Sequence, residues 1–163
     1  MAKNKEEKTN VMRVLEQKKI AYTAHTYPHE EGMAVDGVTV AKSMGFDPAI
    51  VFKTLVARGA SKQYYVFDVP VAENLDLKKA AKAVGEKSIE MLHQKELLPL
   101  TGYVHGGCSP VGMKKLFPTV FHSSAENLAA MIVSAGKIGY QVELAPHDLA
   151  ALVRAKFADI IVE

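Results

Sequence analysis

The spacing of apolar positions changes repeatedly along the chain, and each change predicts an element. Over residues 9–19, Val11, Met12, Val14 and Leu15 fall on one helical face, with Thr9 or Asn10 placed to cap it. Residues 20–27 alternate, are rich in aromatic and β-favouring side chains and stop at Pro28, which predicts a strand. Residues 37–44 predict a short helix ended by Gly45, after which Asp47 and Pro48 supply the cap and first position of one more turn. Two apolar runs, 51–57 and 63–69, are joined by residues 58–62 and predict an antiparallel hairpin.

Asp76 is placed to cap a helix whose apolar face is Leu77, Ala80, Ala81 and Val84 and whose stop is Gly85. A strand over 88–91 and a short helix over 94–98 follow. Glycine and proline then punctuate 102–112, where Ser109 and Pro110 have the form of a cap and first turn of a helix ending near Leu116. A strand over 119–122, a helical segment over 125–130, strands over 131–134 and 140–144 about a glycine turn, a helix opened by Pro146 and a strand over 160–162 complete the series. Helices and hairpins mixed in this order predict an α+β fold, a single domain over 1–163 with a mixed, largely antiparallel sheet flanked by helices.

Composition agrees with a packed domain: 48% of the residues are hydrophobic and 23% charged. The single cysteine, Cys108, allows no intrachain disulfide and no cysteine cluster for a structural zinc, and suits a reducing cytoplasm. Residues 1–8 are charged, and no run approaches the roughly 18 apolar residues that span a bilayer, so neither a signal peptide nor a membrane partner is expected. Lys and Arg number 20 against 18 Asp and Glu, too even a balance for a strongly basic DNA- or RNA-coating surface. The local lysines at 78, 79, 82, 87, 114 and 115 read as solvated helix faces.

Three features carry candidate chemistry. Lys53 sits within Val51, Phe52, Thr54, Leu55 and Val56, where an ammonium between apolar neighbours can meet a carbonyl, carboxylate or phosphate. The alternative is an edge-strand lysine that discourages aggregation. Gly106, Gly107, Ser109, Pro110 and Gly112 form a turn that admits close backbone approach, or a plain loop-to-helix junction. Ser134, Gly136, Lys137 and Gly139 form a hairpin turn from which Ser134 or Lys137 can reach a ligand. Cys108 at the start of the expected helix offers a thiolate nucleophile as an alternative, or a small buried side chain. His25 and His29 straddle Pro28 and do not share a helical face as a zinc pair would.

Taken together, His25–Thr26–Tyr27, Phe52–Lys53–Thr54–Leu55, Leu77–Lys78–Lys79, Thr101–Gly102–Tyr103, Gly106–Gly107–Cys108–Ser109–Pro110, and Ser134 with Gly136, Lys137 and Gly139 resemble the YbaK/EbsC family, in order and spacing, over nearly the whole chain. The resemblance implies a mixed-sheet domain related to the editing domain of prolyl-tRNA synthetase, acting without metal or other cofactor on the acceptor end of mischarged transfer RNA. It implies removal of cysteine from Cys-tRNA(Pro), and from Cys-tRNA(Cys), with editing of Ala-tRNA(Pro) in a sister branch and a non-catalytic RNA-binding module as alternatives.

Position by position, the resemblance assigns the activity to Lys53, places Tyr27 and Thr54 in the same pocket, and matches Gly106 to a glycine that approaches the aminoacyl group and Ser134 to a pocket serine. Gly107, Ser109, Gly136 and Lys137 on the two turns are further candidate substrate contacts. The segment 30–38 lacks the phenylalanine of the family pattern, and Met33 or Val35 takes its place in the wall. Cys108 stands where the family pattern often has isoleucine, which counts against a nucleophile there. The implied chemistry is substrate-assisted: the cysteinyl sulfur attacks its own ester and leaves as a thiolactone. Prolyl-tRNA synthetase is the implied docking partner, and the expected assembly is a monomer or weak dimer.

Overall fold

The computed structural model describes residues 8–29, 33 and 35–163. Its first helix, α1 (Asn10–Gln17), begins where the Thr9 hydroxyl accepts the Met12 N–H at 3.3 Å, satisfying an amide that a helix start leaves without an internal partner. Val11, Met12 and Leu15 then share one face and enter the main core. After β1 (Thr23–Thr26), Asp36 caps α2 (Gly37–Ser43), and a 3-10 turn, Pro48–Ile50, delivers the chain to the central hairpin of β2 (Phe52–Gly59) and β3 (Tyr64–Pro70). Asp76 caps α3 (Leu77–Val84) by accepting the Lys78 and Lys79 amides, and Gly85 ends it at φ 76°. Then come β4 (Ile89–Met91), α4 (Gln94–Thr101), β5 (Thr119–His122), a 3-10 segment Ser123–Asn127, the hairpin β6 (Met131–Ser134) and β7 (Tyr140–Leu144), α5 (Pro146–Val153) and β8 (Lys156–Ala158).

The strands form two sheets. A small antiparallel sheet has the order β1-β7-β6, and a five-stranded mixed sheet has the order β4-β2-β3-β5-β8, antiparallel on the β4-β2-β3 side and parallel across β3-β5-β8. An isolated parallel bridge between Val51 and Ile132 ties the sheets together at the start of β2. The α+β class and the mixed strand pairing are those expected, with the antiparallel part divided between two sheets. Phe52, Phe67 and Phe121 are fully or almost fully buried, each contributing roughly 1.5–3 kcal/mol by leaving water.

Four local expectations are corrected. The reversal between β2 and β3 is tighter than 58–62, because Arg58 still pairs with Tyr64 and the Gly59 N–H donates to the Gln63 carbonyl at 2.9 Å. The helix over 94–98 runs on through Pro99 to Thr101. No helix forms over 109–116: Gly112 takes φ 79°, outside helical space, and the wholly buried Ser109 spends its hydroxyl oxygen on the Val111 N–H at 3.3 Å. The last strand is 156–158 instead of 160–162, since Ile160 is buried and turns its N–H to His122 Nδ1, leaving Ile161 a single bridge to Leu75. Among the described residues, no helix is long and apolar enough to cross a membrane.

Candidate active site

A cavity of about 350 Å³ opens where the two sheets meet. Its floor is the start of β2, which supplies Phe52, Lys53, Thr54 and Leu55. Val35, Asp36 and Gly37 enter from the start of α2, and Tyr27 from the end of the small sheet. His105, Gly106 and Cys108 come from the loop after α4; Ser134 and Gln141 face each other in register on β6 and β7.

Lys53 is half-buried here, and burial lowers its pKa from the usual 10.5, with Asp36 first and Glu73 second acting in the opposite sense. Asp36 is held at the helix start by accepting the Thr39 N–H at 3.2 Å and the Thr39 hydroxyl at 3.3 Å. A cation and a carboxylate thus share one recess, where a dielectric below that of water strengthens the attraction between them. Thr54 lies directly across the ladder from Asp68 and donates its hydroxyl to Asp68 Oδ1 at 2.5 Å. Asp68 is wholly buried; its second oxygen has no protein partner, and burial pushes its pKa up to about 7 against the pull of Thr54.

The two glycine turns meet. Gly107 lies so near the other turn that a Cβ would come within 3.1 Å of the Ile138 nitrogen and 3.3 Å of Lys137 backbone. Gly106 beside it takes φ 89°, and Gly136 takes φ 92° against the Tyr103 ring. The Ser134 oxygen accepts the Gly136 N–H at 3.2 Å, which fixes the oxygen and leaves the hydroxyl proton to donate into the cavity. The Tyr27 N–H donates to the Gly139 carbonyl at 3.0 Å and anchors the opposite wall to the same turn.

Tyr27, Lys53, Thr54, Gly106 and Ser134 therefore line one recess. Gly107 and Gly136 stand behind it as packing contacts, Ser109 is buried within its own turn, and Lys137 lies over the Tyr140 ring, 5.4 Å from the centroid. Of the two residues offered for the missing wall, Val35 lines the cavity, whereas Met33 is 59% exposed and does not. The expected helix start at Cys108 is absent, and the thiol is buried with its pKa raised to about 12, chiefly by loss of solvent and then by Asp68, the reverse of what a thiolate nucleophile needs. His25 pairs with Glu143 at 2.7 Å and His29 Nδ1 lies 3.2 Å from the Tyr27 carbonyl, so the two serve separate partners.

Sequence reasoning missed Asp36, Asp68, His105 and Gln141. A lone carboxylate in the apolar run 63–69 was a readable signal for Asp68, and its position before a helix was one for Asp36. Gln141 and His105 carry no local signature.

Residues 29–152 match the family model described as the aminoacyl-tRNA editing domain. The chain belongs to the aminoacyl-tRNA editing domain family. It is 47% identical over 161 residues, 98% of each chain, to EbsC of Enterococcus faecalis, a protein named for Cys-tRNA(Pro)/Cys-tRNA(Cys) deacylase activity. This upholds the YbaK/EbsC resemblance read from the motifs. Among solved structures, a scaffold used for computational epitope grafting shares the fold with TM-score 0.82 and 25% identity, covering 94% of this chain and 95% of that one. A structure described as a trans-editing enzyme for prolyl-tRNA synthetase matches with TM-score 0.78 at 24% identity, over the same shares of the two chains. The editing-domain match includes every residue that lines the cavity except Tyr27.

Proposed function

We propose that this editing-domain protein is an aminoacyl-tRNA deacylase that clears Cys-tRNA(Pro), and Cys-tRNA(Cys), by substrate-assisted cyclisation. The observation that carries this reading is the convergence of Lys53, Gly106 and Ser134 on one recess in a chain 47% identical to EbsC. The recess is of a size for an aminoacyl group with part of its terminal ribose, and it combines a cation, hydroxyls and close backbone.

In the proposed reaction the cysteinyl sulfur attacks the ester carbonyl carbon, the carbon–sulfur bond closes a thiolactone, and the carbon–oxygen bond to the ribose breaks. An intramolecular nucleophile needs orientation more than activation, because positioning alone contributes many kcal/mol. Lys53 stabilises negative charge at the reacting ester, Ser134 donates a hydrogen bond to the aminoacyl group, and Tyr27 and Thr54 complete the wall. Gly106 lets backbone come near the ester without a side chain between them.

The substrate end is the 3′ acceptor of transfer RNA, and the site of action is the cytoplasm. A net charge of +2 gives little unaided grip on a polyanion, which favours docking on prolyl-tRNA synthetase by a monomeric protein. Incubation with Cys-tRNA(Pro) and Ala-tRNA(Pro) tests the reading. Loss of the cysteinyl ester with thiolactone appearing, and the alanyl ester spared, is expected; binding without faster ester loss would show a non-catalytic module, and preferential loss of alanine a sister-branch hydrolase.

A further inference from the structure

Asp68 is a wholly buried carboxylate on β3 that receives a hydrogen bond from Thr54 and leaves Oδ2 without a protein partner. It does not touch the cavity; Thr54, its cross-strand neighbour, does. A hydroxyl has one proton. With that proton given to ionised Asp68, Thr54 turns only lone pairs toward the cavity, so what it meets there must be a donor.

We infer that Thr54 and Asp68 form a relay that takes the thiol proton of the cysteinyl group, with Asp68 the buried positioning residue that sets the direction of transfer. The inference rests on the cysteinyl-tRNA reading above. As the S–H proton passes to Thr54 Oγ1, the hydroxyl's own proton passes to Asp68 Oδ1. The thiolate closes on the carbonyl carbon, the ribose carbon–oxygen bond breaks, and the relay runs back so that the proton ends on the ribose oxygen. Nothing external is consumed.

The surroundings of Asp68 support this use. Its pKa is pushed up to about 7 by burial, near that of an activated thiol, so the proton moves either way at small cost. Across β5 its register partner is the apolar Phe121, and the titratable group acting with it from the 105–108 loop is the Cys108 thiol, itself held neutral by burial. The acids acting on Lys53 are Asp36 and Glu73, which leaves Asp68 outside that charge pair.

Single-turnover deacylation of Cys-tRNA(Pro) from pH 6 to 8.5 tests the relay in wild type, Asp68→Asn, Thr54→Val and Thr54→Ser. Asn keeps an acceptor for Thr54 and cannot take a proton; valine removes the relay oxygen and serine retains it. Near pH 7, Asp68→Asn and Thr54→Val should each slow the step roughly tenfold to hundredfold and not multiply when combined, while serine stays near wild type. The deficit should shrink toward pH 8.5, where the substrate thiol ionises unaided, whereas a merely structural defect would persist at every pH. A pH-independent deficit, or a full-rate Asp68→Asn, overturns the relay. If Asp68→Asn does not fold, the valine and serine variants decide the question alone. Wild-type protein that leaves Cys-tRNA(Pro) intact removes the cysteinyl reading first, visible before any variant is compared, and takes the relay's proton donor with it.

Discussion

Gly107 and Ile138 meet backbone to backbone: a Cβ on Gly107 would lie 3.1 Å from the Ile138 nitrogen. This contact brings the loop carrying His105, Gly106 and Cys108 against the hairpin turn that follows Ser134, and so closes one side of the cavity. Backbone gives way less readily than a flexible side chain. Gly107→Val should therefore cost about 1–3 kcal/mol in urea unfolding and cut deacylation at least roughly tenfold by moving Gly106 away from Lys53. A variant with unchanged stability and rate would show that the two turns need not touch.

Cys108 should be dispensable and unreactive. Its buried thiol has a pKa raised to about 12, so folded protein at pH 8 should resist alkylation by iodoacetamide and label promptly once denatured. Cys108→Ala should keep its deacylation rate within about twofold while losing some packing stability. A large loss of rate in a folded variant would restore the protein-nucleophile mechanism.

Asp68 should make stability fall with rising pH. Burial lifts its folded-state pKa from an ordinary 3.8 to about 7, so between those values the folded chain keeps a proton that the unfolded chain has released. Its contribution is complete below about pH 4, declines as pH rises to 7 and is gone above that, a change on the order of 4 kcal/mol. Asp68→Asn should remove the slope, with denaturant midpoints of the two proteins converging in acid and the variant ahead at pH 8. Parallel curves would mean that Asp68 does not titrate in this range.

Much of this architecture was legible because its cues are local. Asp76 and Gly85 bracket α3 with a cap and a left-handed stop directly beside Leu77 and Val84, and the two apolar runs pair as the antiparallel hairpin of β2 and β3. The expected helix after Ser109 failed for an equally local reason, the positive φ of Gly112, a glycine that the sequence shows but whose backbone angle it does not fix. Lys53, Gly106 and Ser134 were each ambiguous alone, and the resemblance singled them out. What remained hidden depends on register and long-range packing: Thr54 meets Asp68 only once β2 and β3 are aligned, and Gln141 reaches the cavity only because β7 lies beside β6. Asp36 acts on Lys53 from another element, a relation no spacing encodes.

Lys53 should show a transition-state role distinct from stability. Because burial opposes its charge, Lys53→Met should fold at least as stably as wild type, judged by urea midpoint, even as activity falls. Arginine at 53 should not restore the rate, since its planar fork needs more room than an ammonium. Full activity in Lys53→Arg would show that any cation at this place suffices.

The most direct measurement is the rate of Cys-tRNA(Pro) deacylation by folded Lys53→Ala against wild type. The cavity geometry predicts a loss of roughly a hundredfold or more with the circular-dichroism spectrum unchanged, as for removal of one charge-stabilising group. A folded Lys53→Ala protein that deacylates at the wild-type rate would contradict the central role given to the cation at the meeting of the two sheets.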